Sequence, residues 1–257
     1  MKIERLNEDN IADAYCCLDE RRELFKKDVD ECVAHMKKKL REGWLAYAVY
    51  DDAGEPVGMS ILLPSSDHLS PVVGENLYYF HCMDINKNWR KRGIGKELTD
   101  RIAEEVKAKG GKGLAVDCYG EYWMPCDYFT KRGFETSKVF PEHSLMLKSI
   151  SKGARVEFTE TPYKGDVPAS GIQIDIQYSV TCPFMLNNYR KVGEMAKRLE
   201  PDAIIRERVI NTKEDIERWG GSGIYVNGKS VSVGPVDEAE LKKAIEEAKG
   251  RSIGHSE

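Results

Sequence analysis

Asn88-Trp-Arg-Lys-Arg-Gly-Ile-Gly-Lys96 is the stretch on which the reading of this chain turns. It places Arg90, Lys91, Arg92 and Lys96 around Gly93 and Gly95, immediately before an amphipathic run, Lys96–Lys109. Glycine lets a backbone approach a ligand with no Cβ in the way. A helix N-terminus presents unpaired N–H groups and the positive end of the dipole, which together favour an anion. The inference is a site for a phosphate or pyrophosphate. The spacing is neither that of the P-loop nor that of the dinucleotide fingerprint.

Working outward, Asn76–Ile85 predicts a strand running directly into this turn. Behind the turn, Leu98, Ile102 and Val106 share one helix face, and Gly110-Gly111 ends it. Gly113–Cys118 then reads as a short buried strand. Strand, glycine turn, helix, strand is a β-α-β unit, and it puts the turn at the strand's C-terminal end, where α/β ligand sites lie. Upstream, residues 7–20 read as a short helix. Residues 28–42 read as a better one, with Val29, Val33, Met36 and Leu40 at helical spacing and Gly43 at C′. Trp44–Tyr50 and Pro56–Leu63 form a predicted hairpin around Asp51-Asp52-Ala53-Gly54. Downstream, Met124–Arg132 reads as a short helix closed by Gly133, and Ser144–Lys148 as a last strand. The order predicts a mixed sheet with helices on both faces, one domain over 1–150.

Residues 151–170 change character, with Gly, Pro and charge but little periodicity, as a connecting segment does. A second α/β pattern occupies 171–257. A strand over Ile172–Tyr178 is followed by Ser179-Val-Thr-Cys182-Pro183-Phe184 and a helix with Tyr189, Val192, Ala196 and Leu199 on one face. Then come a strand over Ala203–Ile210, a short helix over Thr212–Arg218, and a hairpin, Gly223–Val226 and Lys229–Val233. The hairpin turns on Asn227-Gly228, a type I′ signal. A final helix, Asp237–Lys249, opens with Asp237 and Glu240 at capping-box positions and ends at Gly250. The order β-α-β-α-β-β-α is that of a thioredoxin-like domain.

Composition sets the bounds. The 257 residues suit two modest domains or one large one, with 41% hydrophobic and 32% charged residues and no apolar run long enough to span a membrane. Met1-Lys-Ile-Glu leads into polar sequence, so no signal peptide is expected. The net charge of −4 argues against a nucleic-acid partner. Seven cysteines are an odd set without a secreted framework's spacing, so reduced thiols in the cytoplasm are the expectation. No C-x-x-C occurs, the five histidines make no ligand spacing, and no metal is expected.

Arg90-x-x-Gly93-x-Gly95 after a strand, with Tyr128-Phe-Thr-Lys-Arg-Gly133-Phe134 downstream, resembles the GNAT N-acetyltransferase superfamily. The resemblance covers nearly all of 1–150. It implies that acetyl-CoA is the co-substrate and that Arg90, Lys91, Arg92, Gly93, Ile94, Gly95 and Lys96 hold its pyrophosphate. It also implies that Met83, Asp84 and Ile85, ending a strand that splays from its neighbour, bond the pantetheine arm. The second half, with Ser179-x-x-Cys182-Pro183-Phe184 and Tyr225-Val-Asn-Gly-Lys229, resembles the C-terminal extension of the YoaP-like subgroup. Two departures stand out. The tyrosine many of these enzymes use as general acid lies four residues before the glycine of the Gly-Phe pair. Phe129 stands there, and Tyr128, about 100° round a helix, is the candidate in its place. In the second half the resolving cysteine of a C-x-x-C pair would fall at Met185, and Ser222-Gly223 replaces the usual cis-proline.

The implied reaction moves an acetyl group directly to the amine of a small molecule or peptide. Candidates for the base are His81, Asp84, Asp117 and Asp127, each needing a pKa suited to proton removal near neutrality. Cys126 and Cys118 flank Glu121-Tyr122-Trp123-Met124-Pro125, and a thiol at Cys126 could protonate the leaving thiolate. Tyr119, Tyr122, Trp123 and Tyr128 point to an aromatic-walled acceptor pocket. Cys182, just before Pro183 at a helix start, is placed where a helix N-terminus lowers a thiol's pKa. Two other readings stay open: a thiol-handling protein working through Cys182, and a non-catalytic CoA sensor. Oligomeric state is open too, a homodimer included.

Overall fold

The computed structural model describes residues 1–120, 123–231 and 234–253. Contacts group the chain into two compact units, one of Met1–Leu24 with Val33–Glu160 and the other of Phe25–Cys32 with Thr161–Glu257. The division falls at Glu160/Thr161, inside the predicted connecting segment.

The first unit is organised by a seven-stranded sheet. Its strands are β1 (Lys2–Arg5), β2 (Leu45–Tyr50), β3 (Pro56–Pro64), β5 (Leu77–Ile85), β6 (Gly113–Cys118), β7 (Glu135–Val139) and β8 (Ser144–Ser149), in the order β1-β2-β3-β5-β6-β8-β7. Only the β5/β6 pair in it is parallel. That pair is the one joined through helix α2 (Ile94–Ala108), as a crossover between parallel strands requires a helix's length of chain. Ile94, Leu98, Ile102 and Val106 of α2 bury against Leu45, Tyr47, Phe80, Met83, Leu114 and Val116 of the sheet. Phe129, on the short helix α3 (Cys126–Thr130), joins the same core with Phe134 and Met146. A two-residue strand, β4 (Val72–Val73), pairs with β9 (Glu157–Phe158), and Phe158 also meets the Phe140 ring at 4.8 Å. The start of the predicted connecting segment is therefore tied into this unit.

Besides the two-residue pair β4 and β9, two strands of the seven-stranded sheet were not expected. β7 is exposed along all five residues and β1 at both ends, so neither carries the apolar alternation by which a strand is recognised. Residues 7–20 do not form an α-helix. Ile11–Phe25 is a run of tight 3₁₀ turns broken at Asp19, whose φ is +48°. The helix behind it, α1, is found at Lys26–Arg41, close to expectation.

The second unit carries β10 (Gln173–Tyr178), α4 (Pro183–Leu199), β11 (Ile204–Val209), α5 (Lys213–Trp219), β12 (Gly223–Val226), β13 (Lys229–Ser230) and α6 (Glu238–Ile253). Its sheet runs β11-β10-β12-β13, with β10/β11 parallel and the rest antiparallel. Ile174, Ile176, Val192, Ile224, Leu241 and Ile245 lie in its core. Asn227 and Gly228 both have positive φ (46° and 77°), as a type I′ turn requires. Ser232 and Val233, at the end of the predicted hairpin, lie outside the described residues. The reciprocal bonds Asp237–Glu240 cap the last helix. That helix passes through Gly250 instead of stopping there.

The polar face of β10 is covered by the end of the predicted connecting segment. Tyr163 donates to Asp175 Oδ2 at 2.8 Å, and its ring lies 4.7 Å from that of Tyr225. Arg208 pairs with the other oxygen of Asp175, which is fully buried. Lys164 N and Gly221 N make main-chain bonds to Trp219 O and Thr161 O. Residues 161–164 are thus packed structure and not a free tether.

Candidate active site

The cleft of the first unit is written in its hydrogen-bond ladders. β5 pairs with β3 as far as Ile85↔Gly58. With β6 it pairs only from Leu77↔Gly113 to Phe80↔Val116. β6 meanwhile stays paired with β8 through Cys118↔Ser144. Residues 81–85 therefore present one main-chain edge with no strand against it, facing the end of β6. Main-chain donors and acceptors left off a ladder need partners, and an extended ligand arm can supply them.

Beside this edge stands the N-terminus of α2. Gly93, its N-cap, has φ +82°, a conformation a side chain resists, and no side chain caps the helix. The first N–H with a partner four residues back is that of Glu97, to Gly93 O at 3.1 Å. Lys91 reaches the turn with φ +63°. Arg92 lies over the Trp89 ring at 4.7 Å, and Lys96 pairs with Asp100 at 2.7 Å. Arg90 is engaged within the chain. Its Nε donates to Ile85 O at 2.7 Å and its Nη2 to Asp84 Oδ1 at 3.0 Å, stapling the turn to the end of β5. Gly95 is needed for another reason: a Cβ there would lie 2.8 Å from Tyr128 Oη.

The structure separates the candidates for catalysis. Cys126 is bonded to Cys118 in a disulfide, so it holds no thiol proton, and the expectation of reduced thiols fails at these two positions. The bridge joins the end of β6 to the start of α3. Tyr128 donates to Gly95 O at 2.5 Å and lies 2.8 Å from Thr99 Oγ1, so its hydroxyl is engaged with the first turn of α2. Burial raises its pKa, against the Thr99 bond and the Arg132 guanidinium, which sits 3.7 Å over its ring. Phe129 is 1% exposed and packs edge-on against Phe134 and beside Phe80, a core position in which no acid could work. Burial raises the pKa of Asp84 although Arg90 opposes it. His81 packs against the Trp44 ring at 5.8 Å, and burial alone lowers its pKa to about 4. The sulfur of Met83 lies 3.9 Å from Thr99 Oγ1, on the α2 side.

Asp117 is where side chains converge. Tyr79 Oη donates to its Oδ2 at 3.1 Å, and His143 Nε2 stands 3.8 Å from its Oδ1. Burial raises the Asp117 pKa, more than His143 and the Tyr79 bond lower it. Tyr119 lies 5.9 Å from the His143 ring and 5.3 Å from that of Trp123, while Phe140 stacks on His143 at 4.4 Å. Tyr79 and His143 escaped the sequence reading. His143 sits in the turn between β7 and β8, and β7 itself gave no apolar signal. Glu121 and Tyr122 lie outside the described residues. Among the described residues no group of His, Cys, Asp and Glu is arranged to hold a metal ion, and no helix is long and apolar enough to cross a membrane.

In the second unit Cys182 is the N-cap of α4, with Pro183 at the first turn and no side-chain cap. Phe184 and Met185 N–H groups lower the thiol's pKa, but burial outweighs them and raises it. The expected low-pKa thiol is not produced.

Residues 10–134 match the family model described as Acetyltransferase (GNAT) family. Over 242 residues the chain is 22% identical to the "Uncharacterized N-acetyltransferase YoaP" of Bacillus subtilis (strain 168), covering 88% of this chain and 91% of that one. Similar solved structures include the aminoglycoside 6'-N-acetyltransferase from Enterococcus faecium, at 17% identity and TM-score 0.46 over 59% of this chain and 98% of that one. Another is the PaiA N-acetyltransferase from Thermoplasma acidophilum in complex with coenzyme A, at 15% identity and TM-score 0.42 over 58% and 99%. The family match spans the turn, the cleft and α3. The first unit has a GNAT-type α/β fold, and the protein is an acyltransferase.

Proposed function

We propose that the first unit is an acetyl-CoA-dependent N-acetyltransferase that passes the acetyl group directly to the amine of a small molecule or peptide. The observation that carries this reading is the open main-chain edge of residues 81–85 beside the uncapped N-terminus of α2. An extended arm ending in a pyrophosphate needs both, one for its amides and one for its charge. In this reading Met83, Asp84 and Ile85 hold the pantetheine arm, and Lys91 through Lys96 hold the pyrophosphate. Arg90 holds the turn in place. The bound donor supplies an activated acetyl thioester. The chain supplies approximation, by fixing donor and amine in one cleft, and main-chain N–H groups that can meet the developing oxyanion. The second unit is read as thioredoxin-like, on the support of its strand order and element sequence.

The test uses binding and turnover separately. At about 100 times its Kd, acetyl-CoA should stabilise the wild type by about 2.7 kcal/mol, a Tm rise of roughly 5–10 °C for a protein of this size. Gly93→Asp, which puts a carboxylate at the anion site, should abolish the rise, and Arg90→Ala should reduce it. Equal rises in all three proteins would rule out the site assignment. Tight binding without CoA release across amines, polyamines and peptides would leave a CoA sensor instead of an enzyme on this fold.

A further inference from the structure

Asp117 is the first residue of β6 beyond the end of its ladder with β5. Its neighbours Val116 and Cys118 point into the α2 core, so strand alternation turns Asp117 to the opposite face. The residue is 6% exposed. Oδ2 is held by Tyr79, whereas Oδ1 receives no hydrogen bond from the protein. A buried acceptor left unmatched is destabilising, more so when charged, and a ligand N–H reaching Oδ1 would remove that cost. Tyr119, Trp123, His143 and Phe140 form a chain of ring contacts beside it, and Trp123 is 42% exposed, so the rings reach solvent.

We propose that Asp117 binds and deprotonates the acceptor's amine, and that the acceptor is a primary monoamine on an aromatic or other apolar stem. This rests on the reading of the first unit as an amine acetyltransferase. One buried carboxylate matches one cationic nitrogen, and aromatic rings cover an apolar stem and favour the cation at its end. Among the described residues no second buried carboxylate stands beside these rings, so a further ammonium, as in a polyamine, would lack a partner like Asp117. In the reaction the ammonium gives one proton to Oδ1, and the freed lone pair forms the C–N bond at the thioester carbonyl. The C–S bond breaks with its electron pair on sulfur, the thiolate takes a second proton from nitrogen, and Asp117 returns its own to solvent. Tyr79 of β5, Tyr119 at the end of β6, and His143 from the β7–β8 turn face this carboxylate, and Glu142 acts on Tyr119.

The experiment compares wild type with Asp117→Asn, using phenethylamine and spermidine as probes. Asp117→Asn should keep the acetyl-CoA Tm rise, lose CoA release to phenethylamine by at least about 100-fold, and lose the acid limb of the pH profile. Wild type should favour phenethylamine over spermidine by about 10-fold or more in kcat/KM. Transfer by Asp117→Asn within about threefold of wild type, or a preference for spermidine, overturns the proposal. Calorimetry of phenethylamine binding to the two proteins keeps this test separate from the donor reading: if acetyl-CoA gives no Tm rise, equal phenethylamine affinities still overturn the assignment of Asp117, and loss in the variant supports it. Should Asp117→Asn not fold, Tyr79→Phe takes its place. Removing that hydrogen bond should move the acid limb to higher pH, and an unmoved limb overturns the role.

Discussion

The two sides of the cleft are made of different material. On the proposed donor side the working groups would be main-chain N–H groups at the start of α2 and along residues 81–85, set by backbone conformation and surrounded by exposed cations. On the proposed acceptor side they would be buried or half-buried side chains, a carboxylate, a phenol and an imidazole drawn from β6, β5 and the β7–β8 turn. A main-chain site is broken by adding a Cβ or changing φ, and is indifferent to most side-chain chemistry. A side-chain site tolerates neither loss of one hydrogen bond nor a change of protonation. Donor binding should therefore vary little with pH near neutrality, while transfer should follow the titration of the acceptor face.

The largest effect expected bears on that pH contrast, at the residue where the open edge begins. His81 is half-buried against Trp44 with its pKa lowered to about 4, from an ordinary value of 6.5. A lowered imidazole pKa means that the unfolded chain binds this proton more readily than the folded one. The stability it confers is whole above about pH 6.5 and is lost as pH falls toward 4. The shift corresponds to at most about 3 kcal/mol, to which His35, lowered to about 4 by burial as well, adds in the same direction. Tm measured from neutral to acid pH should fall steeply in wild type and less steeply in His81→Gln. Parallel curves would mean that His81 charges within the fold, which would return it to the list of bases.

The next effect separates two glycines on the donor side. A Cβ at Gly95 would meet Tyr128 at 2.8–3.0 Å, whereas one at Gly93 meets nothing within 4 Å but sits at φ +82°. Gly95→Ala should cost about 1–3 kcal/mol through overpacking and displace α3. Gly93→Ala should cost about 1–2 kcal/mol through backbone conformation alone. Thermal melts rank them, and equal losses would show that Tyr128 yields freely.

What could be read from the sequence follows the same division. The turn, its preceding strand and the helix after it are local, so spacing alone located them to within a residue or two. Helix α1, the hairpin of β2 and β3, and the Asn227-Gly228 turn were legible for that reason. β7 was not, because its five residues are all exposed and carry no alternation. His143 was lost with it, since its meeting with Asp117 depends on the β7–β8 turn returning beside β6. The disulfide was hidden likewise: Cys118 and Cys126 are eight residues apart, a spacing that says nothing until β6 and α3 are placed. Phe129 and Tyr128 show the limit of position matching. A helix of five residues puts one in the core and the other on α2, and which is which depends on packing with Phe80 and Phe134.

The smallest effect tests a residue that the sequence places on the acceptor side and the structure ties to the first turn of α2. Tyr128 was the candidate general acid, standing beside the position where a tyrosine is expected. An acid in that role must keep its proton free for the departing sulfur. In the structure the proton is directed at Gly95 O, and the oxygen also meets Thr99 Oγ1, so the hydroxyl ties α3 to the first turn of α2. Tyr128→Phe should then cost about 1 kcal/mol, the usual worth of a hydrogen bond, seen as a Tm loss of roughly 2–4 °C. It should weaken acetyl-CoA binding slightly, if the turn it braces holds the donor as proposed, and leave kcat within a few-fold. A general acid's loss would instead lower kcat by about 100-fold or more with KM for acetyl-CoA little changed. The split between kcat and KM thus decides whether this tyrosine acts on the reacting sulfur or on the helix that holds the donor.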